Sequence, residues 1–136
     1  MQNKEKFEKI KRKALEDHIP IIMDDTLKVI SEILIEKKPE RILEIGAAVG
    51  YSAICFSKFL VEGGIIDTIE RDEERIKEAK SNFIKAEVSD KIILHEGDAV
   101  DLLPNLNEKY DVVFIDAAKG KYPFFLKEAL RMIKDN

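Results

Sequence analysis

"RILEIGAAVGYSAICF", residues 41–56, decides the fold. Residues 41–45 form a short apolar run. Gly46, Ala47, Ala48, Val49 and Gly50 follow as a stretch of small side chains, and an apolar helix pattern begins at Tyr51. A strand that passes through a small-residue turn into a helix suits an open parallel sheet. Glycine in that turn lets backbone approach a ligand closely and permits φ angles that a Cβ forbids.

Working outward, three more apolar runs read as strands: "IIDTIE" (65–70), "KIILHE" (91–96) and "DVVFID" (111–116). Helices are expected at about 51–61, 72–86 and 121–134, with a short turn near 99–103. The helix at 72–86 has Asp72 as its cap and Glu73 and Glu74 in its positive first turn. Ile76, Ala79, Phe83 and Ile84 form its buried face.

Upstream, the first 17 residues read as a charged helix with a thin stripe of Phe7, Ile10, Ala14 and Leu15. Pro20 breaks it, because a proline disfavours helix for the residue before it. Asp24, Asp25 or Thr26 can cap a second helix whose core side is Leu27, Ile30, Ile33 and Leu34.

Continuously apolar strands that alternate with helices indicate an α/β fold, a parallel sheet covered on both faces. The 136 residues, 45% hydrophobic, suffice for one core. Residues 1–20 form a helix and connector, and 21–136 the main unit.

The net charge of −4, from 23 basic and 27 acidic residues, gives no global field for nucleic acid. No apolar run approaches the roughly 20 residues of a membrane span, and the first residues are charged rather than signal-like. The expectation is a soluble, cytoplasmic protein without a membrane partner. Cys55 is read as a buried thiol, since a reactive thiolate needs an electropositive, partly exposed setting.

Ligands of open α/β sheets bind outside the carboxyl ends of the strands. Acids stand at all four ends: Glu44, Glu70, Asp98 and Asp116. Glu70 lies 24 residues beyond Gly46, where a carboxylate can accept the hydroxyls of a ribose. A dinucleotide fingerprint would place glycines at positions 48 and 51, which are Ala48 and Tyr51, and the P-loop ending Gly-Lys-Ser/Thr is also missing. These departures disfavour a nicotinamide-dependent reductase. They leave a nucleoside ligand without a diphosphate, on an acidic rim suited to a cation, and S-adenosylmethionine meets that description.

Four stretches in order, "ILEIGAAVGYSAI", "IDTIERDEERIKEAKSNF", "HEGDAVDLLP" and "YDVVFIDAAKGKY", closely resemble the metal-dependent O-methyltransferases of the class I S-adenosylmethionine enzymes, the catechol and caffeoyl-CoA type. Together with "HIPIIMDDTLKVISEIL", the resemblance over about residues 15–134 is greatest to the bacterial branch that methylates 5-hydroxyuridine in tRNA. It implies a Rossmann-like sheet of strand order 3-2-1-4.

By the same resemblance, Glu44, Gly46 and Ser52 hold the methionine portion of the cofactor, and Met23 closes over it. Glu70 takes the ribose hydroxyls, and Asp98 with Ala99 meets the adenine edge. Asp116 faces the cofactor's amino group and a divalent metal of the Mg²⁺ kind. Lys119 is the general base, and Tyr122 helps shape the acceptor site. His18 and His95 are given structural roles.

Relatives of this type continue into three more strands, and the ligands that complete the metal site lie just after the next one. The chain is therefore expected to be truncated at its C-terminus, with "VVFI" left as an exposed sheet edge that invites a homodimer. The expected acceptor is tRNA, with the basic run "KIKRK" at 9–13 acting locally, or a small catechol-like phenol. A cofactor-binding fragment with no turnover is the alternative.

Overall fold

The structure, a computed structural model, describes residues 2–116 and 121–135. Strands β1 (Arg41–Ile45), β2 (Ile65–Glu70), β3 (Ile92–Glu96) and β4 (Val112–Ile115) pair in parallel in the order β3-β2-β1-β4. The chain steps outward twice, from β1 to β2 to β3, then returns to place β4 on the other side of β1. The ends of β1 and β4 therefore border the switch point where such sheets bind ligands.

Successive side chains of β1 go to opposite faces, as strand geometry requires. Ile42 packs with Ile66, Ile54, Phe56 and Phe83 under helices α1 (Gln2–Glu16), α2 (Asp24–Lys37), α3 (Tyr51–Ser57) and α4 (Glu73–Lys85). Leu43 and Ile45 pack with Ile69, Leu103, Tyr110, Phe125 and Met132 on the other face. That layer is α5 (Ala99–Leu102), a 3-10 turn at Leu103–Asn105, and α6 (Tyr122–Met132).

All four expected strands and every expected helix are present, with shifts at several ends. Asp72 caps α4 as expected, its Oδ1 accepting from the Arg75 amide at 3.0 Å. The N-cap position of α2 is Met23, which offers no side-chain acceptor, and Asp24 and Asp25 fall in the first turn instead. There their charges favour the positive helix end, and Asp24 takes the Lys11 ammonium at 2.9 Å. Helix α3 ends at Ser57 rather than near residue 61, passing into tight i→i+3 bonds from Phe59 and Leu60.

The apolar stripes are narrower than the spacing suggests. Leu15, Ile33 and Ile84 are exposed, whereas Ile10, Leu34, Ala79 and Phe83 are buried. Burial on both faces also holds only in the middle of the sheet: β1 and β2 are almost wholly buried, while β3 and β4 stay half-open.

Polar groups interrupt the apolar face of the sheet around Asp67. Asp67, buried in β2, accepts from Arg41 Nε at 3.0 Å and from the Tyr110 hydroxyl at 2.8 Å. His95 Nε2 lies 3.0 Å from its other oxygen, which gives His95 the structural place expected of it. His18 sits exposed just after α1 with φ 57°. Cys55 is buried, and burial raises its thiol pKa.

The lead-in to β4 is not bare. Tyr110 forms a parallel bridge with Ile133, its amide donating to the Met132 carbonyl at 2.9 Å and its carbonyl accepting from the Lys134 amide at 2.9 Å. Beyond that bridge, Val112–Ile115 ladder with β1 alone among the described residues. No helix is long and apolar enough to cross a membrane among the described residues.

Candidate active site

Backbone hydrogen bonds stitch the four strand ends into one rim. The amides of Gly46 and Ala47 both donate to the Ile69 carbonyl, at 3.0 and 2.9 Å. Gly97 donates to the Glu70 carbonyl and Asp116 to the Ile45 carbonyl, each at 2.9 Å. Above this rim lies a cleft of about 420 Å³ lined by Gly46, Ala48, Glu70, Asp98, Ala99 and Asp116 among others. Its size falls in the range of ordinary small-molecule sites.

The turn after β1 has left-handed backbone at Gly46 (φ 100°), Ala48 (φ 50°) and Gly50 (φ 86°). Ala48 thus adopts a conformation usually left to glycine, and such a residue persists only where its surroundings over-determine it. Its amide donates to Glu70 Oε1 at 2.7 Å. The other oxygen of Glu70 accepts from the amides of Arg71 and Asp72, at 3.2 and 3.1 Å. An ionised carboxylate offers about four lone-pair sites. Glu70 is therefore fixed by its own backbone surroundings with one site on Oε1 left open, where the sequence reading has the carboxylate accept the hydroxyls of a ribose.

Glu44 is wholly buried and does not line the cleft. Ser52 donates to its Oε2, and Thr68, its register partner on β2, donates to Oε1 at 2.7 Å. Burial pushes the Glu44 carboxyl up to about 7 against the pull of the two hydroxyls, and the charges of Asp116 and Glu70 push the same way. Glu44 and Ser52 are bonded to each other and buried, whereas Gly46 lines the cleft. The sequence pattern leaves Thr68 unmarked, its one signal being a hydroxyl between Asp67 and Ile69 within a strand.

Asp98 caps α5, its side chain accepting from the Val100 amide at 2.9 Å. That amide, with Lys121 and Arg71, holds its carboxyl below the usual range. Asp116, open to solvent on one side, is raised by partial desolvation. The rim is not purely acidic, because Arg71, Arg75 and Lys121 line the cleft beside Glu70, Asp98 and Asp116. Arg71 and Arg75 adjoin Glu70 in sequence, whereas Lys121 reaches the same rim only through the fold.

Two expected residues stand away from the cleft lining. Met23 is exposed at the start of α2 while Pro20 lines the cleft, and Tyr122 donates to the Ile115 carbonyl at 3.2 Å. Lys119 lies outside the described residues. Among the described residues no group of three His, Cys, Asp or Glu side chains is placed to hold a metal ion. A hard divalent cation needs several oxygen ligands. Among the described residues Asp116 alone therefore does not make the Mg²⁺ site that the resemblance implies. Two of the four cations of the basic run at 9–13 are engaged as well: Lys11 pairs with Asp24, and Lys13 with Asp17 and Glu78.

A doubly wound parallel sheet, with a glycine turn after its first strand and an acid ending its second, defines the class of proteins that hold a nucleoside-containing ligand across the strand ends. Within that class the chain belongs to the O-methyltransferase family, whose model matches residues 32–136. It is 34% identical over 97 residues to a catechol O-methyltransferase of Niastella koreensis, covering 68% of this chain and 44% of that protein. It is 32% identical over 100 residues to the catechol O-methyltransferase of Bos taurus, covering 70% of this chain and 37% of that protein.

Solved structures agree in fold. The O-methyltransferase TomG from Streptomyces achromogenes, in complex with SAM, superposes with a TM-score of 0.87 at 29% identity, covering 96% of this chain and 61% of that one. An O-methyltransferase from Bacillus cereus, in complex with SAH, gives 0.88 at 27% identity, covering 96% and 62%. The chain thus spans less than half the length of those two curated relatives.

Proposed function

We propose that the chain binds S-adenosylmethionine and serves methyl transfer to a hydroxyl oxygen. The observation that carries this is the cleft at the strand ends, where the Gly46–Gly50 turn, Glu70, Asp98 and Asp116 meet. Gly46 gives the methionine portion close backbone contact, the open site of Glu70 Oε1 accepts a ribose hydroxyl, and Asp98 and Ala99 border the adenine. Two solved relatives bound to SAM or SAH support the choice of cofactor.

In the transfer, an acceptor oxygen attacks the sulfonium methyl in line. The carbon–oxygen bond forms as the carbon–sulfur pair returns to sulfur, and S-adenosylhomocysteine is released. Asp116 offers a carboxylate to the cofactor's ammonium. Lys119 is proposed to receive the hydroxyl proton. Holding the two reactants in line supplies most of the acceleration.

For the acceptor, the names of the curated relatives favour a catechol-like phenol. The likeness of residues 18–54 to the tRNA branch favours 5-hydroxyuridine in tRNA, while the ion-paired Lys11 and Lys13 of α1 weigh against an RNA contact there. Incubation with methyl-labelled cofactor and either catechol or hydroxyuridine-bearing tRNA separates the two. Binding of S-adenosylhomocysteine with no transfer to either would support a binding module without turnover. Failure to bind it would end the cofactor reading. A cytoplasmic homodimer paired along β4 completes the proposal, and a monomeric sedimentation profile would remove that assembly.

A further inference from the structure

The turn that lines the cleft is held from below by a residue that touches no part of the cleft. Asn82, in the C-terminal half of α4, is 5% exposed, and its Nδ2 donates to the Val49 carbonyl at 2.8 Å. Val49 lies between Ala48 and Gly50, both left-handed. The backbone bonds of the turn, from Gly46 and Ala47 to Ile69 and from Gly50 to Ala47, do not use this carbonyl. The adjoining residue of α4, Phe83, fills the space beneath Gly50: a Cβ there would come within 2.5 Å of the ring.

The other end of α4 begins at the opposite wall of the cleft, where Asp72 caps the helix and its amide donates to Glu70. One rigid helix therefore fixes both the glycine turn and the carboxylate across from it. We propose that Asn82 is a positioning residue for the cofactor turn, holding the Val49–Gly50 peptide plane so that Gly46 and the Ala48–Glu70 pair keep their spacing before a ligand arrives. The inference rests on the cofactor reading above. Without the amide, the buried carbonyl loses its partner and the plane can turn, so part of the binding energy would go to re-forming the site.

Titration calorimetry with S-adenosylhomocysteine tests it on the wild-type chain and three variants. Asn82→Leu should weaken binding roughly tenfold, the size of one lost hydrogen bond to a buried carbonyl. Ile76→Ala, which empties a buried position earlier in α4, should lower Tm yet leave the Kd within about twofold. Asn82→Asp keeps the shape, so its affinity should recover relative to wild type as the pH falls and the protonated carboxyl donates again. Wild-type affinity in Asn82→Leu, or an equal loss in Ile76→Ala, overturns the proposal. Should Asn82→Leu fail to fold, a wild-type Kd for Asn82→Asp at every pH overturns it. A wild-type chain that binds no S-adenosylhomocysteine brings down the cofactor reading itself, and this inference with it.

Discussion

The two ends of the cleft are built differently. At the β1–β2 end, the glycine turn lies on the Phe83 ring, Ala48 is bonded to Glu70, and Glu70 is itself held by two further amides. At the β4 end, Asp116 stands just after a half-open strand, its amide tied to Ile45 and its carboxylate open to solvent. The contrast assigns different work to each end. The first presents fixed backbone and one oriented carboxylate, which suits a ligand recognised by shape. The second presents a group whose charge answers to whatever sits beside it. Stability should therefore reside at the first end and sensitivity to a bound partner at the second.

Substituting the turn strikes hardest at that division. Gly50→Ala puts a side chain on left-handed backbone and into the Phe83 ring, which should cost about 4 kcal/mol in urea unfolding. A loss below about 1 kcal/mol would show that the turn is not over-determined.

Glu44 comes next. Its folded carboxyl is raised from 4.5 to about 7, so the native chain keeps a proton that the unfolded chain has released. Its contribution to stability is therefore fully present below about 4.5 and is lost as the pH rises through about 7, a fall of about 3 kcal/mol across that window. Above it both states are ionised and the slope vanishes. Glu44→Gln should flatten the dependence, and an unchanged slope would place the buried proton elsewhere.

Glu70→Ala removes the acceptor of three amides and, on the proposed function, the carboxylate that meets the ribose. S-adenosylhomocysteine binding should weaken about thirtyfold, roughly 2 kcal/mol. Asp116→Ala should have the smallest effect on unfolding, within about 0.5 kcal/mol, as expected away from the core, while abolishing methyl transfer. A large stability loss there would erase the contrast between the two ends.

Much of this was legible in the chain. The runs at 41–45 and 65–70 match β1 and β2 residue for residue, because their isoleucines and leucine mark strands that bury apolar side chains on both faces. Asp72 as a helix cap and Asp98 at the end of β3 could also be read, since both depend on neighbours in sequence. The outer face of α2 and the exposure of Ile84 could not, since helical periodicity gives a stripe's direction but not how far a neighbouring element covers it.

The identity of Ala48 shows the same boundary. Its residue type argues against a dinucleotide turn, and that follows from sequence alone. The backbone nonetheless takes the left-handed shape a glycine would have taken, because Glu70, 22 positions away, holds its amide. Sequence by itself determined the order of strands and helices, the turn, and an acid at each strand end. These follow from local hydrophobic period and steric size. Only the tertiary structure decided that Glu44 lies beneath the site, that Lys121 shares a rim with Glu70 and Arg71, and that α4 grips the turn from below. Those are distances between residues far apart in the chain, and packing alone sets them.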